Sequence, residues 1–231
     1  MGRLVGRYGV TIAAAPGSHA LWIGTEVPAA AAAELAAAFA ASAPALDPAE
    51  PPLSLGRCRR ILEADVAIEQ HGGPSFVFSD DVPPSSGLCT ERSDQPARDA
   101  LRDANPGNWQ PDEWAELLDG RLGPWAMVLD GGRPVSICHT PEPLTEIGAE
   151  CGVWTLPGFR GRGYAAATAA AWAEILRPTG RLLFYSTDAS NRSSQRVAER
   201  LHLRPIGWTW RLCVCDPGAG SVHPLSSLRR R

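Results

Sequence analysis

The 231-residue sequence contains no lysine; all 22 of its cationic side chains are arginine. Chemistry that depends on a lysine amine, such as a Schiff base or a lysine general base, is therefore excluded. No apolar run approaches the roughly 20 residues that span a bilayer, so no membrane partner is expected. No basic block appears before Arg229–Arg231 and the formal net charge is −3. Nucleic-acid binding needs clustered cations and is not expected as the main task. The six cysteines, at 58, 89, 138, 151, 213 and 215, include no C-x-x-C pair and no histidine at finger spacing, so no metal site is expected. The opening residues carry charge without a long apolar stretch; the expectation is a cytoplasmic protein with reduced thiols.

The apolar fraction of 44% suffices for a packed core, beside an ordinary 20% of charged residues. Such a chain suits one domain of moderate size, or a catalytic domain with a smaller appendage. The densest chemical signal runs from Glu150 to Ala165 (ECGVWTLPGFRGRGYA). It reads as a strand, a Pro-Gly break, and an Arg-Gly-x-Gly loop entering an alanine-rich helix. Gly161 and Gly163 let the backbone take positive φ and approach a ligand without Cβ interference. Several N–H groups and the positive end of a helix dipole then face one point, which is how proteins hold phosphates. Two other readings fit the same letters. Glycines in a strand-to-helix turn need bind nothing. Gly161-x-Gly163-x-x-Ala166 also satisfies a dinucleotide fingerprint, but Pro157–Arg160 separates it from the strand, and too little chain follows Asp188 for a doubly wound sheet.

At Arg160, Gly163 and Ala165 the segment resembles the acyl-CoA-binding motif Arg/Gln-x-x-Gly-x-Gly/Ala of the GNAT superfamily of N-acyltransferases. The resemblance continues through FYSTDASN at 184–191 and the helix after it, covering about 60 residues well. It implies that Arg160, Gly161, Arg162, Gly163, Tyr164 and Ala165 wrap the pyrophosphate of acetyl-CoA, the co-substrate. It further implies that the preceding strand, Val153, Trp154 and Thr155, meets the pantetheine arm, and that Asn191 and Ser194 make a second contact. Without a ligand, Ser190 or Asn191 is an ordinary helix N-cap. An aspartate at Gly163 is expected to abolish CoA binding and spare the fold. One departure stands out. Many members carry a tyrosine seven residues after that asparagine as general acid; here the position is Ala198, and the usual Gly-Phe ending is His202-Leu203. A thiol with a pKa near 8.5 leaves easily, and Tyr185 or water is the alternative acid.

Along the rest of the chain, alternation around Pro16-Gly17-Ser18 predicts two strands over 8–25, and Pro28 opens an alanine-rich helix to about Ser42. A proline-rich linker and a short helix over 55–64 follow. A strand is predicted at 74–79, a loop at 80–96, and helices at 97–104 and 111–118. Around Gly131-Gly132 the pattern predicts a hairpin of 125–130 and 133–139. A strand over 150–156, a helix over 163–176, a strand over 181–186, a helix over 191–202 and a strand over 205–215 complete the order. Together with the resemblance this implies an α/β fold: a GNAT-like mixed, mostly antiparallel central sheet flanked by helices. The expected organisation is a small α/β N-terminal appendage (1–72), a GNAT-like domain (73–216) and a loosely held tail (217–231).

The implied reaction is direct acetyl transfer to an amine, which attacks only when neutral, so a base must take its proton. Glu150, on the strand before the loop, and His139, ending the hairpin strand, are the candidate catalytic residues; Glu146 is a reserve. Each is otherwise a polar strand-end side chain facing solvent. Amides around 153–155 stabilise an oxyanion only if the strand splays from 181–186. Cys151 is read as a buried apolar thiol rather than an acyl carrier. Trp109 and Trp114 fall on the acceptor side in this family, although helix packing explains them equally. A small-molecule amine is favoured over a protein as acceptor, and the apolar C-terminal strand allows a homodimer. The alternative function is a CoA-binding sensor or interaction domain without catalysis, which the missing tyrosine supports. Family resemblance does not fix the acceptor.

Overall fold

Gly17, at φ 69°, turns the chain between two antiparallel strands, and that hairpin begins the first of two compact units. The computed structural model describes residues 3–4, 8–63, 67–83, 88–95, 100–141 and 144–214. Among them, one unit is drawn from 3–75, 186–190 and 205–214, and the other from 76–185 and 191–204. The predicted strand end at Cys215 and the tail lie outside the described residues, as does the start of the helix predicted over 97–104; residues 100–104 form a 3-10 turn and loop instead of an α-helix.

The first unit contains β1 (Arg3–Leu4), β2 (Tyr8–Ala15), β3 (Ser18–Gly24), α1 (Ala29–Ala40), α2 (Leu53–Leu62), most of β4 (Ile68–Val77) and nearly all of the strand Arg204–Val214, which is β11 in chain order. Its strands run in the order β1-β3-β2-β11-β4. Trp208↔Ala14 through Leu212↔Val10 register β11 against β2, so both edges of β11 are used within the chain. Alternation turns Val10, Ile12, Leu21, Ile23, Trp210 and Leu212 toward Leu35, Leu55 and Cys58 of the two helices. Burial pushes the Cys58 thiol up to about 11. The predicted strand at 74–79 starts earlier, at Ile68, because glycine is needed inside it. A Cβ at Gly73 would lie 1.7 Å from the Thr187 carbonyl oxygen, and Ala189 N–H donates to the Gly72 carbonyl nearby.

The second unit is built on β5 (Glu91–Arg92), β6 (Trp125–Asp130), β7 (Arg133–His139) and β9 (Gly152–Thr155), hydrogen-bonded in that order. Gly131 and Gly132 both take positive φ, the two-residue turn that matches strand twist. One face of this sheet carries Trp125, Met127 and Ile137, packed by Trp114, Leu117 and Leu118 of α3 (Pro111–Leu118). Gln110 and Glu113 close a capping box at the start of α3. The other face, Ala126 and Cys138, is packed by α4 (Tyr164–Leu176), whose buried alanines bring its backbone close. Arg92 on β5 donates to Glu174 on α4 at 2.9 Å. Trp125 and Trp172, 1% and 0% exposed, anchor the two faces, and truncating either to alanine costs about 3–5 kcal/mol.

β8 (Gly148–Glu150) pairs in parallel with β10 (Leu182–Ser186). α5 (Arg192–Arg200) adds Ala198 to the same core as Ala149, Leu183 and Tyr185. The fold is thus mixed α/β, mostly antiparallel, with helices flanking the strands. The single strand predicted over 150–156 is two strands joined at Cys151, each with a different neighbour.

Candidate active site

Cys151 N–H donates to the Phe184 carbonyl at 3.0 Å, the last rung that ties this segment to β10. Beyond it the chain belongs to β7: His139↔Gly152, Cys138↔Val153, Ile137↔Trp154 and Ser136↔Thr155. Leu156 N–H donates to Val135 across that ladder. Successive N–H groups alternate sides in a strand. The amides of Val153 and Thr155 therefore face away from β7, toward an edge where no strand of the described residues lies beside β9. The separation from β10 that the sequence required is present.

Immediately after this edge, Pro157–Phe159 forms a single 3-10 turn, and Arg160 Nε donates back to the Thr155 carbonyl at 3.3 Å. Gly161 and Gly163 take φ 78° and 86°, conformations costly for residues with a side chain. Gly163 is the N-cap of α4 and supplies no capping acceptor, and the first turn contains no acidic residue. The first-turn N–H groups are thus uncapped at the positive end of the helix. Arg162 lies 4.9 Å over the Phe159 ring, which stacks on Tyr164. Arg200, from the last turn of α5, reaches the same cap: a Cβ on Gly163 would lie 2.6 Å from its Nη1. Among the described residues no carboxylate pairs with Arg160, Arg162 or Arg200. Arg200 lies against the α4 cap, and Arg160 and Arg162, donating to the Thr155 and Gly158 carbonyls, stand in the loop just before it, so the arrangement suits a polyanion. Arg200 was not among the sequence candidates; its only signal was a basic residue on the helix that Asn191 opens.

Asn191 caps α5, accepting from Ser194 N–H at 3.1 Å, so the ordinary N-cap role holds for its side-chain oxygen. Tyr185 is buried, donates its hydroxyl to the Ser194 carbonyl at 3.3 Å, and burial holds its pKa well above the usual phenol value. A hydroxyl so engaged is a poor acid. Ala198 is 1% exposed and leaves no room for a tyrosine at its position without repacking.

The opposite face of the strand carries the candidate bases. Ala149 and Cys151 pack toward α4, so Glu150, Gly152 and Trp154 face the other way. His139 stands across from Gly152, and Trp125 across from His139, on that same face. Glu150 shares this face two residues before Gly152, beyond the last β7–β9 pair at His139. Burial lowers the His139 pKa to about 4, only partly opposed by the Thr140 backbone, so the imidazole is neutral at pH 7. Trp109 meets its ring edge-on at 4.9 Å. Glu146 is exposed ahead of β8. Burial drives the Cys138 thiol well up, beside Cys151, in keeping with core cysteines rather than nucleophiles. Among the described residues no group of three or more His, Cys, Asp or Glu gathers as a metal site, and no helix is long and apolar enough to cross a membrane.

The segment that holds this site, 77–204, matches the family model described as the acetyltransferase (GNAT) domain. No curated protein matches the sequence. Among solved structures, a GNAT-family protein of Novosphingobium aromaticivorans DSM 12444 is 24% identical, with a TM-score of 0.48 over 65% of this chain and 68% of that one. A GCN5-related N-acetyltransferase-like protein of Streptococcus suis 89/1591 is 18% identical, with a TM-score of 0.48 over 70% and 69%. A GCN5-related N-acetyltransferase of Sphaerobacter thermophilus is 20% identical, with a TM-score of 0.47 over 72% and 59%.

Proposed function

Since the chain belongs to the GNAT acetyltransferase family, with more than half its length matched, we propose that it transfers an acetyl group from acetyl-CoA to an amine. The observation that carries this reading is the uncapped start of α4, with Arg200 against it and Arg160 and Arg162 in the loop before it, directly after an open strand edge. The first-turn amides and guanidinium groups suit the phosphates of CoA. The Val153 and Thr155 amides face the space beside the strand, where they would donate to the pantetheine arm or to the thioester oxygen as charge develops on it.

Glu150 takes the proton that makes the amine nucleophilic, directly or through water. Neutral His139, with its depressed pKa, does not store the proton. The amine nitrogen bonds to the acetyl carbon, the C–S bond breaks, and the proton that the nitrogen then sheds passes through water to the departing thiolate. No side-chain acid is required for a group that leaves this readily.

One observation favours a second reading. Ala198 is buried and the Tyr185 hydroxyl is engaged, so neither position supplies a tyrosine to protonate the thiolate. A CoA-binding domain without catalysis would look the same there. Calorimetric titration with acetyl-CoA, with NAD as control, followed by thiol release across an amine panel, tests both. Micromolar binding with turnover supports the transferase, binding without turnover supports the sensor, and no binding removes both.

A further inference from the structure

Among the described residues the large apolar side chains left exposed are Leu46, Leu53, Leu144, Ile147 and Leu182, and the last three gather where β8 and β10 begin, at one end of the second unit. Ile147 is 78% and Leu182 58% exposed. They are neighbours: Leu182 N–H donates to the Ile147 carbonyl at 2.9 Å, and Leu182 stands opposite Gly148. A Cβ on Gly148 would lie 2.9 Å from the Phe184 ring, so β8 has no side chain to lay over Leu182. Large apolar groups left together in water mark an interaction surface.

The same corner carries one charge of each sign. Arg181 donates through Nε to the Thr145 carbonyl at 2.7 Å, which fixes its guanidinium beside Leu182. Glu146, next to Ile147 in the chain, is exposed. Among the described residues neither has an ion-pair partner. β8 is the last strand of its sheet, yet its edge is obstructed. Thr145 N–H donates to the Gly148 carbonyl at 3.1 Å, and Thr145 Oγ1 accepts from Gly148 N–H at 2.9 Å. An incoming strand finds those groups taken, while the side chains around them stay uncovered.

We propose that this corner is the contact between two copies of the chain related by a two-fold axis. In such an interface a patch meets itself, so it must be complementary to itself. Ile147 and Leu182 pack against their counterparts, and Glu146 of each copy meets Arg181 of the other. A partner of one sign would leave either the carboxylate or the guanidinium unmatched. Both edges of β11, the apolar C-terminal strand, are hydrogen-bonded within the chain, so the second copy does not add there. A patch of a few side chains makes a weak, reversible dimer.

The experiment is sedimentation equilibrium of the full chain from about 10 to about 500 µM, a span that covers weak interfaces. The expected result is a monomer–dimer equilibrium with no growth beyond two, because a contact of this symmetry closes on itself. Glu146→Arg and Arg181→Glu should each raise the dimer Kd at least about tenfold, since each sets two like-charged pairs face to face. Mixed in equal amounts, the two variants should associate within about threefold of the wild type, as should the chain carrying both changes. A role within one chain alone would not produce rescue on mixing. Leu182→Ser should weaken association about tenfold and leave the Tm of the dilute monomer unchanged. A monomer at every concentration overturns the proposal, as does growth past the dimer, a dimer indifferent to the charge reversals, or weakened variants that mixing does not rescue. If a charge variant fails to fold, Leu182→Ser decides, and a dimer that it leaves intact overturns the proposal.

Discussion

The guanidinium of Arg200 lies against the α-carbon of Gly163, so close that an added Cβ would sit 2.6 Å from Nη1. Gly163 therefore answers to two constraints, its φ of 86° and a cation at its surface. Gly161 answers to one, since nothing lies within 4 Å of its Cβ position. Alanine at either glycine should cost about 1–2 kcal/mol from backbone strain, a few degrees in Tm. Only Gly163→Ala also displaces Arg200, so calorimetry should find it weakening acetyl-CoA clearly more than Gly161→Ala. The same geometry corrects the expectation that an aspartate at Gly163 spares the fold: it would strain the cap as well as oppose the phosphates.

Arg200→Ala should weaken acetyl-CoA about three- to tenfold while leaving Tm nearly unchanged, since the side chain is exposed and lacks a carboxylate partner among the described residues. The loss should shrink as salt is raised. Equal affinity at low salt would show that Arg200 does not touch the ligand.

Glu150→Gln should lower kcat by about 10²–10⁴ without changing the Kd of acetyl-CoA. Presteady-state thiol release separates this from a binding defect. If kcat survives, the proton goes elsewhere, and His139→Gln becomes the variant to compare.

His139 makes stability depend on pH. Its pKa falls from 6.5 when unfolded to about 4 in the fold, so the unfolded chain binds the extra proton first as pH drops. The contribution is complete above pH 6.5, is lost progressively down to about pH 4, and amounts to up to about 3 kcal/mol. Urea unfolding between pH 7.5 and 4.5 should show a slope in the wild type that is smaller in His139→Gln.

Tyr185→Phe should leave kcat within about twofold and cost about 1 kcal/mol of stability, the worth of its bond to the Ser194 carbonyl. A large kcat loss at unchanged KM would restore Tyr185 as the general acid.

Local signals made much of this legible. The Gly131-Gly132 hairpin, the Pro111 start of α3 and the Arg160–Ala165 loop each depend on residues a few positions apart, and the structure has them where the pattern put them. What was hidden depends on distant partners. β4 begins at Ile68 because Gly72 and Gly73 are needed against Trp210 and Thr187, far along the chain. The break at Cys151 arises because two strands compete for one segment, and alternation alone does not show which neighbour each half has chosen. Trp125 read as a core residue, and it is one.

The open edge of β9 is short. It is closed at one end by the bond from Cys151 to Phe184 and at the other by Pro157, which has no N–H to extend a ladder. Only the rungs at Val153 and Thr155 remain between, about 7 Å apart by strand geometry. An unpaired edge ordinarily invites another polypeptide to add itself and start an aggregate. Two rungs offer an incoming strand too little to hold, so the uncovered donors of this edge are a poor template for strand addition.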